Sequence, residues 1–198
     1  MRSIIFLFFI IPSLLLSQTM VKEPSTEKNF PSTVTFKAGE TEYTANLTGL
    51  TVRKKFFFKV YGIAHYLQDA GTMSKTDAFK ACLTDGKAKQ ITMDFARDVD
   101  NQKIIDSYNE AFKENATKEE LAAVQNSLKQ FIGYFDKEVK ENQQYILRWI
   151  PGGTIASIVQ GEEKPSITDP LFARLLWSIW LGPESVVDRD DLVARMTK

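Results

Sequence analysis

The chain has 198 residues, with 25 basic and 25 acidic side chains, one Cys and one His. That length fits one full-size domain rather than two, and the balanced charge argues against a dedicated nucleic-acid binder. A single Cys excludes an intramolecular disulfide framework and every Cys-rich metal site, and a single His excludes multi-histidine metal sites.

Residues 1–17 (MRSIIFLFFIIPSLLLS) set Arg2 ahead of an apolar run from Ile4 to Leu16 and end on the small residue Ser17. This is the layout of a secretory signal peptide. The run is shorter than the roughly 20 apolar residues that span a bilayer. Export is therefore expected, with Gln18 as the mature N-terminus and a periplasmic or secreted location. The competing reading is an uncleaved anchor. Cleavage would remove Arg2 and leave a formal charge near −1. Residues 18–32 are polar, contain Pro24 and Pro31, and read as a flexible leader.

The folded domain is expected over 33–198. Thr33–Ala38 and Thr41–Leu47 read as strands joined by a turn at Gly39-Glu40. Val52–Leu67 is dense in β-branched and aromatic residues. Ser74 and Asp77 open a short helix that Gly86 should end. Gln90–Ala96 alternates, with Ile91, Met93 and Phe95 on one side, as a half-buried strand does. A helix with Ile104, Ile105, Tyr108 and Phe112 follows Asp100. Thr117 and Glu120 form a second capping box. Behind it Leu121, Val124, Leu128, Phe131, Phe135 and Val139 predict one long amphipathic helix. Gln144–Ile150 and Thr154–Gln160 flank Pro151-Gly152-Gly153 as a hairpin. Pro170 starts an apolar helix that Gly182-Pro183 ends, and Asp188 caps a terminal one. There is no βαβ repeat, so the order predicts an α+β fold, an antiparallel sheet covered by helices.

Three stretches carry a resemblance. GLTVRKKFFFKVYGIAHYL (Gly49–Leu67), ITMDFARDV (Ile91–Val99) and LFARLLWSIWLGPESV (Leu171–Val186) resemble segments of the chalcone isomerase superfamily, in particular its bacterial chalcone isomerase-like members. The hairpin within YILRWIPGGTIASIVQGE (Tyr145–Glu162) sits where that superfamily has one. The resemblance covers roughly Thr33 to Met196. It implies an open-faced β-sandwich, a large antiparallel sheet under a helical layer, with a ligand cleft between them. It also implies one of three roles: ring closure of a chalcone, binding of a carboxylate-bearing lipid, or assistance without catalysis.

The resemblance places candidate ligand contacts at Arg53, Tyr61, Asn109 and Ser178. Arg53 matches the cleft arginine, which polarises substrate in the isomerases and would pair with a carboxylate in the lipid binders. Tyr61 aligns where isomerases carry Thr and fatty-acid binders carry Tyr. On one straight strand Arg53 and Tyr61 would lie about 26 Å apart, so a shared ligand requires a turn near Lys54–Phe57. Asn109 matches the isomerase Asn, but the Tyr seven residues before it falls at Gln102, and Tyr108 is displaced beside it. The late-helix Thr or Ser falls at Ser178 or Ile179. These departures argue against chalcone isomerase activity and not against a cleft for an amphipathic anion. A fatty acid is the expected ligand, with no cofactor, metal or nucleic acid. The alternatives are an isomerase on a phenolic substrate and an interaction protein with no small ligand. His65, among apolar residues, reads as structural, and Lys54, Lys55 and Lys59 as a solvated face or a cleft rim. Trp177 and Trp180 read as core or cleft lining.

Overall fold

The structure is a computed structural model and describes residues 18–197. The expected signal segment lies outside the described residues. A small hairpin pairs β1 (Met20–Lys22) with β2 (Asn29–Pro31). Seven further strands form one antiparallel sheet in chain order: β3 (Thr33–Ala38), β4 (Thr41–Lys55), β5 (Phe58–Leu67), β6 (Lys89–Phe95), β7 (Gln144–Ile150), β8 (Thr154–Val159) and β9 (Glu162–Thr168). The helices are α1 (Lys75–Leu83) between β5 and β6, then α2 (Asn101–Asn115), α3 (Lys118–Ala123) and α4 (Gln125–Ile132) between β6 and β7. α5 (Pro170–Leu181) and α6 (Arg189–Val193) follow the sheet. The fold is α+β, as the element order predicts.

The helix starts follow from local chemistry. Ser74, Asp100, Thr117, Asp169 and Asp188 each accept a backbone N–H of the first turn, and Thr117 with Glu120 completes a capping box. α5 packs on α1, α2 and α6 over one face of the sheet. Its buried Leu175, Trp177 and Trp180 meet Tyr61, Ile63, Ile91 and Leu147 from the strands in the main core. A second, smaller core on the other face joins Phe30, Phe36, Leu47, Ala64 and Tyr66.

Four expectations are corrected. Residues 18–32 are not a loose leader. Phe30 is buried, and Lys28 reaches Asp94 at 2.7 Å with both side chains largely covered. Gly62 on β5 makes room for this hairpin: a Cβ there would lie 2.8 Å from Thr26 Oγ1 and 3.3 Å from the Phe30 ring. The polar composition is thus held by tertiary partners far along the chain. For the same reason β6 is buried on both faces, with Thr92 and Asp94 under cover as well as Ile91 and Met93.

The helix predicted from Thr117 to Val139 breaks at Val124 and ends at Gly133. Phe135 and Val139 still enter the core, from a turn whose Val139 exchanges backbone bonds of 2.9 and 3.0 Å with Val99. α1 ends at Thr84, two residues before Gly86. β9 escapes the sequence pattern because Pro165 interrupts it and Glu162, Glu163 and Lys164 open it. Both features suit an edge strand.

Two irregularities interrupt the β4–β5 ladder. One leaves Thr48 unpaired between Leu47 and Gly49 and turns it inward; the other leaves Val60 unpaired opposite Arg53 and Lys54. Gly49 pairs with His65, and a Cβ on it would meet the backbone of Asp191 and Leu192 at 1.9 and 2.5 Å. Only glycine lets α6 lie this close to β4.

Candidate functional site

The condition set by the Arg53–Tyr61 spacing is met by the backbone. The chain turns at Phe56-Phe57, and Arg53 on β4 is the direct cross-strand partner of Tyr61 on β5. Paired residues of this kind present their side chains on the same face within reach of one another. Both line a cavity of about 450 Å³ between the open end of the sheet and helices α2 and α5. Its interior wall is apolar and aromatic: Met93 and Phe95 from β6, Ile104, Tyr108 and Ala111 from α2, and Trp180 from α5. The rings brace one another. Phe95 lies 5.4 Å from Tyr61 and 4.8 Å from Tyr145, both edge-on, and Tyr108 stacks on Phe135 at 4.9 Å. The rim is charged, with Arg53, Lys55, Arg97 and Lys103 against Asp98 and Asp106.

The polar groups inside are phenols. The Trp180 indole N–H donates to Tyr61 Oη at 3.1 Å. Tyr61 thus accepts from the protein and keeps its own hydrogen to donate. Burial raises its pKa, opposed by the Trp180 hydrogen bond and the Arg53 charge. Burial pushes Tyr108 well above the ordinary phenol value and raises Tyr145 as well. All three are therefore neutral donors near pH 7, not bases. Tyr145 Oη is buried with no hydrogen-bond partner among the described residues. Arg53 donates through Nη1 to the Val186 carbonyl, which ties its guanidinium to the segment after α5 and leaves its other donors for a ligand.

Of the four candidates, Arg53 and Tyr61 come together and two stand apart. Asn109 is half-buried and does not line the cavity, because one residue along a helix is a turn of about 100° and Tyr108 takes the inward position. Ser178 donates to Leu175 O of its own helix at 2.6 Å, and Ile179 faces the cavity instead. Gln102 is exposed and donates to Asp106 at 2.8 Å. Tyr108 and Tyr145 were not among the sequence candidates, and Trp180, read as core or cleft lining, does line the cavity. The first had a signal, since Ile104, Tyr108 and Ala111 fall on one helical face at spacings of four and three.

His65 and Cys82 lie outside this cavity and are buried. Among the described residues no group of three His, Cys, Asp or Glu side chains could hold a metal ion.

Comparison with known proteins agrees with this architecture. A crystal structure of a fatty-acid binding protein of Arabidopsis thaliana superposes with a TM-score of 0.69 at 16% sequence identity, covering 88% of this chain and 96% of that one. At that identity the likeness establishes the fold. The search of curated proteins returned no match. The profile of the chalcone isomerase-like family matches residues 26–196, nearly all of the folded part, and the chain belongs to that family.

Proposed function

We propose that this protein is a non-catalytic binder that holds a fatty acid, or a similar amphipathic monocarboxylate, in the cavity between sheet and helices. The observation that carries the reading is the Arg53–Tyr61 cross-strand pair at the entrance of an aromatic cavity. The guanidinium supplies a permanent charge and the phenol a neutral donor, which together suit a carboxylate. Met93, Phe95, Ile104 and Ile179 would surround the acyl chain, where each buried methylene contributes about 0.8 kcal/mol. The structural likeness to a plant fatty-acid binding protein supports the ligand class.

An intramolecular lyase is the weaker reading. It needs a base or a set of polar groups around the reacting centre, and here Gln102 faces solvent, Asn109 and Ser178 are off the cavity, and the phenols are held neutral.

Native mass spectrometry of the purified protein, followed by extraction, should identify a co-purified monocarboxylate. Arg53→Ala should then weaken binding of that acid by about 10- to 100-fold, the worth of a charge-assisted hydrogen bond. Unchanged affinity removes Arg53 from the site. Stereoselective cyclisation of a chalcone above the spontaneous rate overturns the non-catalytic reading.

A further inference from the structure

The tip of the β4–β5 hairpin is the most exposed apolar feature of the described residues. Phe57 is 97% exposed, Phe56 86% and Phe58 57%. Single exposed apolar side chains are ordinary, but three in succession on a projecting turn form a patch. Phe56 also adopts φ 55° at the first position of a two-residue loop, where glycine is the unstrained choice.

The charges around the tip are one-sided. Arg53–Lys59 reads RKKFFFK, without an acid. Lys54, Lys55 and Lys59 are exposed, and the Arg97 guanidinium lies 4.5 Å over the Phe58 ring. Lys103 of α2 joins Lys55 and Arg97 on the cavity rim. Among the described residues none of Lys54, Lys55, Arg97 and Lys103 has an ion-pair partner; Lys59 donates to the Ser25 carbonyl. Two of the nearby acids are paired elsewhere: Asp98 takes Lys140 at 3.0 Å and the Glu141 N–H at 2.8 Å, and Glu27 takes Lys22 at 2.9 Å; Asp106, on the cavity rim, accepts from the neutral Gln102 amide. A chain with no net charge therefore gathers cations without ion-pair partners around the one exposed aromatic run of the described residues.

Apolar rings at a tip with a collar of lysine and arginine match an anionic bilayer, where rings enter the boundary of headgroups and acyl chains and cations meet lipid phosphates. An apolar groove on a protein would take the rings but would give the cations on every side no role. No helix of the described residues is long and apolar enough to cross a membrane. Lys55, Phe56, Phe58 and Arg97 also line the cavity entrance.

We propose that the β4–β5 tip is a membrane-docking element: Phe56, Phe57 and Phe58 enter the interface of an anionic lipid bilayer, Lys54, Lys55 and Arg97 contact its phosphates, and the cavity entrance is set against the lipid surface. Docking is independent of what the cavity holds, because it is read by sedimentation and not by ligand displacement.

The full chain is sedimented with vesicles of phosphatidylcholine alone and of phosphatidylcholine with phosphatidylglycerol in equal parts. The expected result is binding to the mixed vesicles that weakens with salt and falls about tenfold in Phe57→Ser/Lys54→Glu. Neither side chain lines the cavity, so affinity for a free fatty acid in solution stays unchanged. In a second arm, Phe57→Trp should show blue-shifted emission on the mixed vesicles and quenching by brominated acyl chains. Four results overturn the proposal. One is no binding to the mixed vesicles. A second is full binding by Phe57→Ser/Lys54→Glu, which would assign the contact to the apolar run 4–16. A third is an unquenched Phe57→Trp. The fourth is a self-association that Phe57→Ser abolishes without any vesicle binding, which would assign the tip to a second copy of the chain.

Discussion

β5 and α5 meet twice through the same device, with opposite outcomes. Trp177 donates its indole N–H to His65 Nε2 at 3.2 Å, and Trp180 donates to Tyr61 Oη at 3.1 Å. The two sites lie four residues apart on the strand, about 13 Å, and three apart on the helix. At the first, every group is answered. Because Nε2 accepts, the neutral ring carries its hydrogen on Nδ1 and donates to Thr48 Oγ1 at 2.7 Å. Thr48 in turn donates to the Leu192 carbonyl at 2.7 Å. The surroundings are closed by α6, by buried Cys82, whose thiol burial pushes up to about 12, and by Lys89, whose ammonium lies 4.3 Å over Trp149. At the second, Tyr61 keeps a free hydrogen, Tyr145 has no partner among the described residues, and a cavity of about 450 Å³ opens beside them. The first polar chain ends on a backbone carbonyl and is satisfied within the fold; the second ends beside a cavity and keeps a donor free.

His65→Leu should separate the two sites most sharply. It leaves the Trp177 N–H without an acceptor and breaks the link to Thr48. A loss of about 3 kcal/mol in chemical denaturation is expected, with the fatty-acid affinity of the folded fraction unchanged. A loss of affinity equal to that of Arg53→Ala would erase the distinction between the two sites.

The next largest effect is on pH. Burial, with the Lys89 charge, holds the His65 imidazole down to about 3 against an ordinary 6.5. Between these values the unfolded chain takes a proton that the folded chain refuses. Stability is therefore fully present above pH 6.5 and falls as the pH drops, by up to about 1.4 kcal/mol per unit. Asp98, Glu120 and Glu162 are held low by their partners, and their contributions are lost only below the ordinary carboxylate range. The fall between pH 6.5 and 4.5 therefore belongs to His65. Melting temperatures measured across that window should slope in the native chain and flatten in His65→Leu.

The smallest change in stability is expected at the open site. Tyr61→Phe removes one acceptor for Trp180 and should cost about 1 kcal/mol or less, while weakening the fatty acid by about tenfold. A stability loss as large as that of His65→Leu with unchanged ligand affinity would make Tyr61 structural.

The elements of this fold were legible wherever the signal was local. Ser74, Asp100, Thr117, Pro170 and Asp188 mark real helix starts, and Pro151-Gly152-Gly153 marks a real turn between β7 and β8. Apart from the stop of α1, which falls at Thr84 and not at Gly86, the readings that failed needed a partner distant in sequence. The β1–β2 hairpin depends on Gly62 and Asp94, β9 on the edge it extends, and the break at Val124 on the core it must follow. In the site, Arg53 and Tyr61 were legible only through the family resemblance of Gly49–Leu67 and Trp180 as core or cleft lining, while Tyr145 sits on a strand that reaches the cavity only when the sheet is covered.

By itself the sequence determined the α+β class, the position of most elements, and the family to which residues 26–196 belong. These follow from periodicity, caps and turn residues, which act over a few positions of chain. Only the tertiary structure decided which buried polar groups are satisfied. His65 and Tyr61 share a strand, an apolar setting and a tryptophan donor. What separates them is the arrival of Thr48 and Leu192 at one and, among the described residues, of no further hydrogen-bond partner at the other, because hydrogen-bond satisfaction is a property of convergence in space.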